Sequence, residues 1–443
     1  MDNTAFLSGG TLTTELKYTY DAFGLPVKLT YTDVDGNTRT VREETALTYD
    51  KNGNILTENT TEAYSGSVTK TKQYAYDLGN RLISATTGGT TTTYGYDLVG
   101  NRTSRKKGSE AQESYTYNYL NQLTQVQQGT KSTTYAYDAR GNQTQEVRTV
   151  SGQTATTTYG YDLADRLISL NTVSGNVTLL TSSFGYNALD QRVTRVENEV
   201  ITHFYYTGGA LLFSTENEYL LKTQNILDPS GGIVASKRFE GQEQTGQDPF
   251  ANEYFFYRYD IRGSVTSIVD GTGTRIKGYD YDEFGNATAS SSAFHNDVTF
   301  TGSISDASGL LYMNARYYNP QTARFLSQDS YRGVASSPWT QHLYSYCNNN
   351  PVNMIDPTGH KALPCLKDFW KWLTGGGNCG GKEETKQTPT PETVTVEETA
   401  APSTPKATAP LATIIVQETD MFLSKREPIV LFIWKHFMFS MQK

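Results

Sequence analysis

The stretch Tyr94-Gly95-Tyr96-Asp97-Leu98-Val99-Gly100-Asn101-Arg102 decides the fold. Side chains alternate along a strand, so Tyr94 and Tyr96 share one face. Asp97 then opens a turn, and Gly100, three residues later, stands where a type I turn closed by a bulge needs a positive φ. Arg102 begins a return strand. The unit is a β-hairpin.

The unit recurs roughly every 20 to 29 residues. It reads Tyr18-Thr19-Tyr20-Asp21, Tyr74-Ala75-Tyr76-Asp77, Tyr115-Thr116-Tyr117-Asn118, Tyr135-Ala136-Tyr137-Asp138 and Tyr159-Gly160-Tyr161-Asp162. Looser copies are Thr48-Tyr49-Asp50 and Phe184-Gly185-Tyr186-Asn187. The residue three after each Asp or Asn is Gly24, Gly53, Asn80, Gly100, Asn121, Gly141, Asp165 or Asp190, and these are the residue types that tolerate positive φ best. One hairpin cannot hold itself together, so the repeats must stack. The prediction is an all-β fold in which Tyr pairs form a continuous ladder and Thr lines the other face.

Composition agrees. Of 443 residues, 63 are Thr, 31 Tyr and 38 Gly, while only 19% are charged. Thr and Tyr fit pleated, half-buried surfaces and Gly supplies turns. Disorder is poor in aromatics, and a parallel α/β sheet would be richer in Val, Ile and Leu. The formal charge of -8 argues against nucleic acid as a partner of the shell. The turn Asp residues read as turn acceptors rather than Ca²⁺ ligands, because paired Gly and Asp at nine-residue spacing are absent. No metal or cofactor is expected. Tyr reads as core rather than as a sugar platform, since the four Trp all lie outside the repeats.

Cys365 and Cys379 could pair, which leaves Cys347 single. Met1-Asp2-Asn3-Thr4 has neither the basic nor the apolar region of a signal peptide. The run Ile429 to Trp434 is far short of the roughly 18 residues of a membrane span, so no transmembrane segment is expected.

On these motifs the chain resembles the RHS or YD repeats, over residues 15 to 206. The resemblance continues downstream. Tyr257-Arg258-Tyr259-Asp260-Ile261-Arg262-Gly263 and Tyr279-Asp280-Tyr281-Asp282-Glu283-Phe284-Gly285-Asn286 resemble the opening of an RHS-associated core. The run from Gly309 to Pro320, the run Ala323-Arg324-Phe325-Leu326-Ser327-Gln328-Asp329, Asn350-Pro351 and Asp356-Pro357-Thr358-Gly359-His360 follow in family order. The resemblance implies a ribbon of hairpins spiralling into a β-shell, closed by the core, with a variable C-terminal tip beyond it. The expected division is repeats over 1–207, connecting strands and loop over 208–249, the core over 250–360 and the tip over 361–443. Fewer repeats than a closed shell uses predict an open, curled sheet with unpaired edges at Thr4 to Thr14, as a C-terminal piece of a longer gene or a short orphan cassette.

In many relatives the core cuts the tip free as an aspartic protease, which needs two carboxylates close enough to share a proton. The candidates here are Asp329 and Asp356, with Arg324 orienting or pairing with one of them, and the bond after Gly359 or His360 as the cut. Three departures weigh against cutting. Asp329 lacks the following Pro, the two Asp stand 27 positions apart, more than is usual, and His360 replaces a Leu common in cleaving relatives. The other reading is that Asp329 and Asp356 cap turns at the shell mouth.

The tail of 83 residues after His360 differs in composition. Asp368-Phe369-Trp370-Lys371-Trp372-Leu373 reads as a short amphipathic segment, 382–410 as a Thr/Pro-rich linker, and Met421 to Lys443 as basic and apolar. It carries no nuclease, hydrolase or metal signature. Three functions remain: a shell that encapsulates and presents or releases its own C-terminal effector in contact-dependent bacterial competition, with an immunity protein as further partner; a secreted or cell-surface module binding a glycan or a protein; and a truncated remnant.

Overall fold

The computed structural model of the chain describes residues 5–364 apart from 9–12, 218–219, 229–230, 240–249, 251 and 291–293. The readings of the C-terminal segments, of the Cys365–Cys379 pair and of the tip fall outside the described residues.

Every turn position picked out above has positive φ, from Asn80 at 59° to Gly100 at 93°. At Asp97 the carboxylate Oδ1 accepts the N–H groups of Val99 at 3.1 Å and Asn101 at 2.8 Å. The turn closes as Gly100 N–H donates to the Asp97 carbonyl and Asp97 N–H to the Asn101 carbonyl. The same two side-chain acceptances recur at Asp21, Asp50, Asp77, Asp138 and Asp162. The pairing register slips one residue before each second Tyr, between Ala75 and Tyr76, Gly95 and Tyr96, Ala136 and Tyr137, and Gly160 and Tyr161. This is the bulge that the turn type requires.

The slip serves a second purpose. It aims the hydroxyl of that Tyr at the preceding hairpin: Tyr76 donates to the Ile55 carbonyl, Tyr96 to Leu82, Tyr117 to Arg102, Tyr161 to Gln143 and Tyr186 to Leu167, all between 2.7 and 3.0 Å. The first Tyr of the pair is buried at Tyr18, Tyr74, Tyr94, Tyr115 and Tyr159 and half-buried at Tyr135. The ladder is core, as the sequence suggested. On the other side, Thr hydroxyls pair across strands, as in Thr86 with Thr91 at 2.9 Å and Thr48 with Thr57 at 2.6 Å.

Among the described residues, twenty-five strands pair antiparallel with their chain neighbours, from Ala5–Ser8 to Ala287–Ala289. The first and last strands do not pair with each other. The expected unpaired edge needs one correction: the strand Thr13–Tyr20 is bonded on both sides, to Ala5–Ser8 and to Pro26–Asp35. The early strands also pack, through side chains, against the late ones. Asp33 meets Arg258 at 2.6 Å, Glu58 meets Arg262 at 3.1 Å and Glu62 meets Arg275 at 2.8 Å, while Tyr259 N–H donates to the Tyr31 hydroxyl at 2.8 Å. Acids on one coil and arginines on the other form a seam where the sheet overlaps itself.

Residues 294 to 355 fill the space that the ladder encloses. Ile304, Leu310, Tyr312, Tyr317 and Leu326 pack on Tyr159, Leu167, Phe184 and Phe204. Ile261, Phe284, Ala323 and Val352 pack on Leu47, Ile55, Leu82 and Tyr94. The fully buried Arg192 of the wall donates to Asp306 at 2.5 Å and to the Tyr317 hydroxyl at 2.7 Å. Among the described residues no helix is long and apolar enough to cross a membrane.

Candidate functional site

The last described stretch crosses the core as a strap. Met354–Ile355 pairs with Leu363–Pro364, and between them Asp356 to His360 turns over the strand Arg316–Asn319. Asp356 Oδ1 accepts the N–H groups of His360 at 2.9 Å and Lys361 at 3.0 Å. Asn314 Nδ2 donates to the Pro357 carbonyl at 2.7 Å, and Ala315 N–H to the Thr358 carbonyl at 3.2 Å. Gly359 sits at φ +74°, and a Cβ there would lie 2.2 Å from the Met313 carbonyl oxygen. No other residue fits under the strap without moving it.

Asp329 follows the strand Arg324–Phe325. Its N–H donates to the Leu343 carbonyl and its Oδ1 accepts Tyr331 N–H, both at 2.9 Å. Oδ1 of each caps its own turn, which leaves Oδ2 of each directed at one guanidinium, that of Arg316: Nη2 is 2.6 Å from Asp329 and 3.6 Å from Asp356. Arg316 also donates through Nε to the Gly359 carbonyl and through Nη1 to the Leu343 carbonyl at 3.1 Å, with its plane over Phe325 at 3.7 Å. His360 completes the group, with Nδ1 2.8 Å from Asp329 Oδ1.

The electrostatics follow from burial. Asp356 is almost inaccessible, and burial pushes its carboxyl up from the ordinary value despite Arg316 and the two strap N–H groups. Burial likewise pulls Arg316 down from the usual arginine value, against the pull of Asp329 and Asp356. Burial thus raises the proton affinity of Asp356, and a carboxyl tuned in that direction is suited to acid–base work.

The structure places Asp329, Asp356, Gly359 and His360 around Arg316. It does not place Arg324 with them. Arg324 donates to the Asn121 carbonyl at 2.5 Å and to Asn101 Oδ1 at 3.3 Å, and lies over the Tyr117 and Tyr344 rings. Its strand partner is Asn319, so it points to the repeat turns and clamps the core onto them. Arg316 takes the expected role. A sequence signal for it existed: it is the one charge in the aromatic run from Leu310 to Tyr318, and a charge buried there needs partners.

The other histidines stand apart. His342 Nδ1 accepts the N–H groups of Tyr344 and Ser345, so Nε2 donates to Asn101 Oδ1 at 2.8 Å. Burial holds this ring neutral, with its pKa pulled down to about 3. Among the described residues no cluster of three or more His, Cys, Asp or Glu could hold a metal ion. A cavity of about 480 Å³ lies inside the wall, lined by Tyr18, Tyr31, Leu211, Ile233 and Tyr259 and bordered by Asp356, Pro357 and Thr358. That is the size of a small-ligand pocket.

The sequence pattern of the teneurin YD-shell matches residues 2–352. The chain belongs to that family. As a YD-shell it is 30% identical to the tRNA nuclease WapA of Bacillus subtilis over 220 residues, which cover 49% of this chain and 8% of WapA. It is 27% identical to the toxin protein Tse5 of Pseudomonas aeruginosa over 336 residues, 65% of this chain and 25% of Tse5. It is 26% identical to the toxin subunit YenC2 of Yersinia entomophaga over 200 residues, 42% of this chain and 20% of YenC2. A crystal structure of TcdB2-TccC3-Cdc42 is similar over 82% of this chain and 21% of that one, at 18% identity and a TM-score of 0.41. The YD-shell thus spans a quarter or less of these relatives, and the chain is an RHS/YD-repeat shell.

Proposed function

We propose that this YD-shell presents its own C-terminal segment and releases it by cutting itself between Gly359 and His360. One observation carries the reading: a single buried arginine, Arg316, faces both Asp329 and Asp356 and also donates to the Gly359 carbonyl. In the proposed reaction a solvent water adds to the Gly359 carbonyl carbon and gives its proton to Asp329. Arg316 Nε stabilises the oxyanion. The C–N bond then breaks as the His360 nitrogen, hydrogen-bonded to Asp356, takes up a proton delivered through that carboxyl. The products are a carboxyl-ended shell and a tail with a free amine.

The cavity beside the strap would take a short peptide. The reading is therefore presentation and release of the tail, with whole-tail encapsulation left to a larger space than that cavity. An effector role in competition between bacteria, an immunity partner and a secreted or surface location belong to the same proposal, supported by the toxin relatives. A glycan platform is less well supported, because the Tyr ladder is spent on burial and on backbone carbonyls. The test is a denaturing gel of freshly purified and incubated chain beside Asp356→Asn. A shortened band that accumulates only with Asp356 intact supports the reading, and two equally intact bands overturn it.

A further inference from the structure

Most of the polar contacts at the strap are made by backbone, but one is made by a titratable ring at the bond itself. His360 Nδ1 lies 2.8 Å from Asp329 Oδ1, and His360 N–H donates to Asp356 Oδ1 at 2.9 Å. The residue that follows the scissile carbonyl thus touches both carboxylates. The charged groups around the ring are Asp329 from the loop after Arg324–Phe325, Arg316 from the strand Arg316–Asn319, and Asp356 from the strap. The His360 side chain is 39% exposed, so protons reach it while Asp329 and Asp356 stay buried.

We propose that His360 is a positioning residue that makes release of the C-terminal segment depend on pH, by occupying Asp329 when protonated and freeing it when neutral. This rests on the self-cutting reading above and adds the regulation of that site. Asp329 has two oxygens. Oδ2 is taken by Arg316, and Oδ1 already accepts Tyr331 N–H. An imidazolium on Oδ1 places a second cation on the carboxylate and takes the remaining acceptor site of that oxygen, which a water would otherwise use. A neutral imidazole is held no more tightly than water would be, and the half-exposed ring can turn out to solvent. Cutting then rises with pH as the ring gives up its proton to solvent. No covalent step is added, because the ring only gains or loses a proton to solvent.

The experiment measures the rate of fragment formation from the full chain at pH 5.5, 6.5 and 7.5 for the native protein, His360→Leu and His360→Gln. In the native chain the rate climbs on that limb by up to about tenfold per pH unit. In both variants the ratio between pH 7.5 and pH 5.5 falls to near one, His360→Gln keeping a polar group on Asp329 without a titratable charge. Thermal melts at each pH show whether each variant is folded. Cutting with the same pH profile in native and variant chains overturns the role of His360 and leaves the self-cutting reading standing. No cutting by the native chain at any pH overturns both.

Discussion

Arg316 Nη2 lies 2.6 Å from Asp329 Oδ2, and the same nitrogen is 3.6 Å from the matching oxygen of Asp356. One side chain thus ties the loop after Arg324–Phe325 to the C-terminal strap. Each aspartate spends its other oxygen on its own turn, so neither can leave without unmaking local structure. The guanidinium holds two aspartates 27 positions apart in sequence, and it reaches the carbonyl at which the strap would be cut.

Arg316→Met keeps the volume over Phe325 and removes the charge. Removing one partner of a buried ion pair typically costs about 3 to 5 kcal/mol, because the remaining charges are left unpaired. Urea unfolding should show a loss of that order, and the chain should stay uncut. Arg324→Met should differ: it loosens the core from the turns at Asn101 and Asn121, with destabilisation but no specific loss of cutting in chain that remains folded.

Gly359→Ala tests the strap geometry alone. The added methyl would meet the Met313 carbonyl at a residue with φ +74°. The expected cost is about 1 to 3 kcal/mol of strain, relieved if the strap lifts. Amide exchange at Ala315, which donates to the Thr358 carbonyl, should then become faster. Unchanged protection there would mean that the strap is not held as described.

Within the shell, Tyr161→Phe removes one hydroxyl from the Gln143 carbonyl and should cost about 1 kcal/mol, the net worth of one such bond. Leu167→Ala, at a residue 2% exposed in the same hairpin, should cost about 2 to 5 kcal/mol. Chemical denaturation of the two variants separates the hydroxyl lock from the apolar core.

The seam makes a pH prediction. Burial pushes Glu58 up, but Arg262 overrides it and holds the carboxyl near about 2, below its unfolded value of 4.5. A depressed acid stabilises the fold above the unfolded value and loses that contribution as pH falls toward the folded one. The window is therefore about pH 4.5 down to about 2, with at most about 3 kcal/mol at stake. Denaturant midpoints across it should fall less steeply in Glu58→Gln than in the native chain. Equal slopes would show that the early and late strands do not meet through this pair.

The repeat turns could be read from sequence because their chemistry is local. Asp97 and Gly100 are three residues apart, and a type I turn with its bulge fixes what each must do. The Tyr face followed from strand alternation. The seam did not: Glu58 and Arg262 are 204 positions apart, and nothing near either names the other. The candidate site stood between these cases. Asp329, Asp356 and Gly359 came from a motif, but the choice of arginine failed, since Arg316 and Arg324 sit on neighbouring strands of one small sheet and only pairing decides which of them faces the strap.

The account stands or falls most directly on the intact mass of the purified chain after incubation at neutral pH, with the ends of any fragments sequenced. It predicts that the 49.2 kDa chain gives way to a fragment ending at Gly359 and another beginning at His360, and that Asp356→Asn abolishes both. A chain that keeps its full mass, or a cut elsewhere that persists in Asp356→Asn, would contradict it.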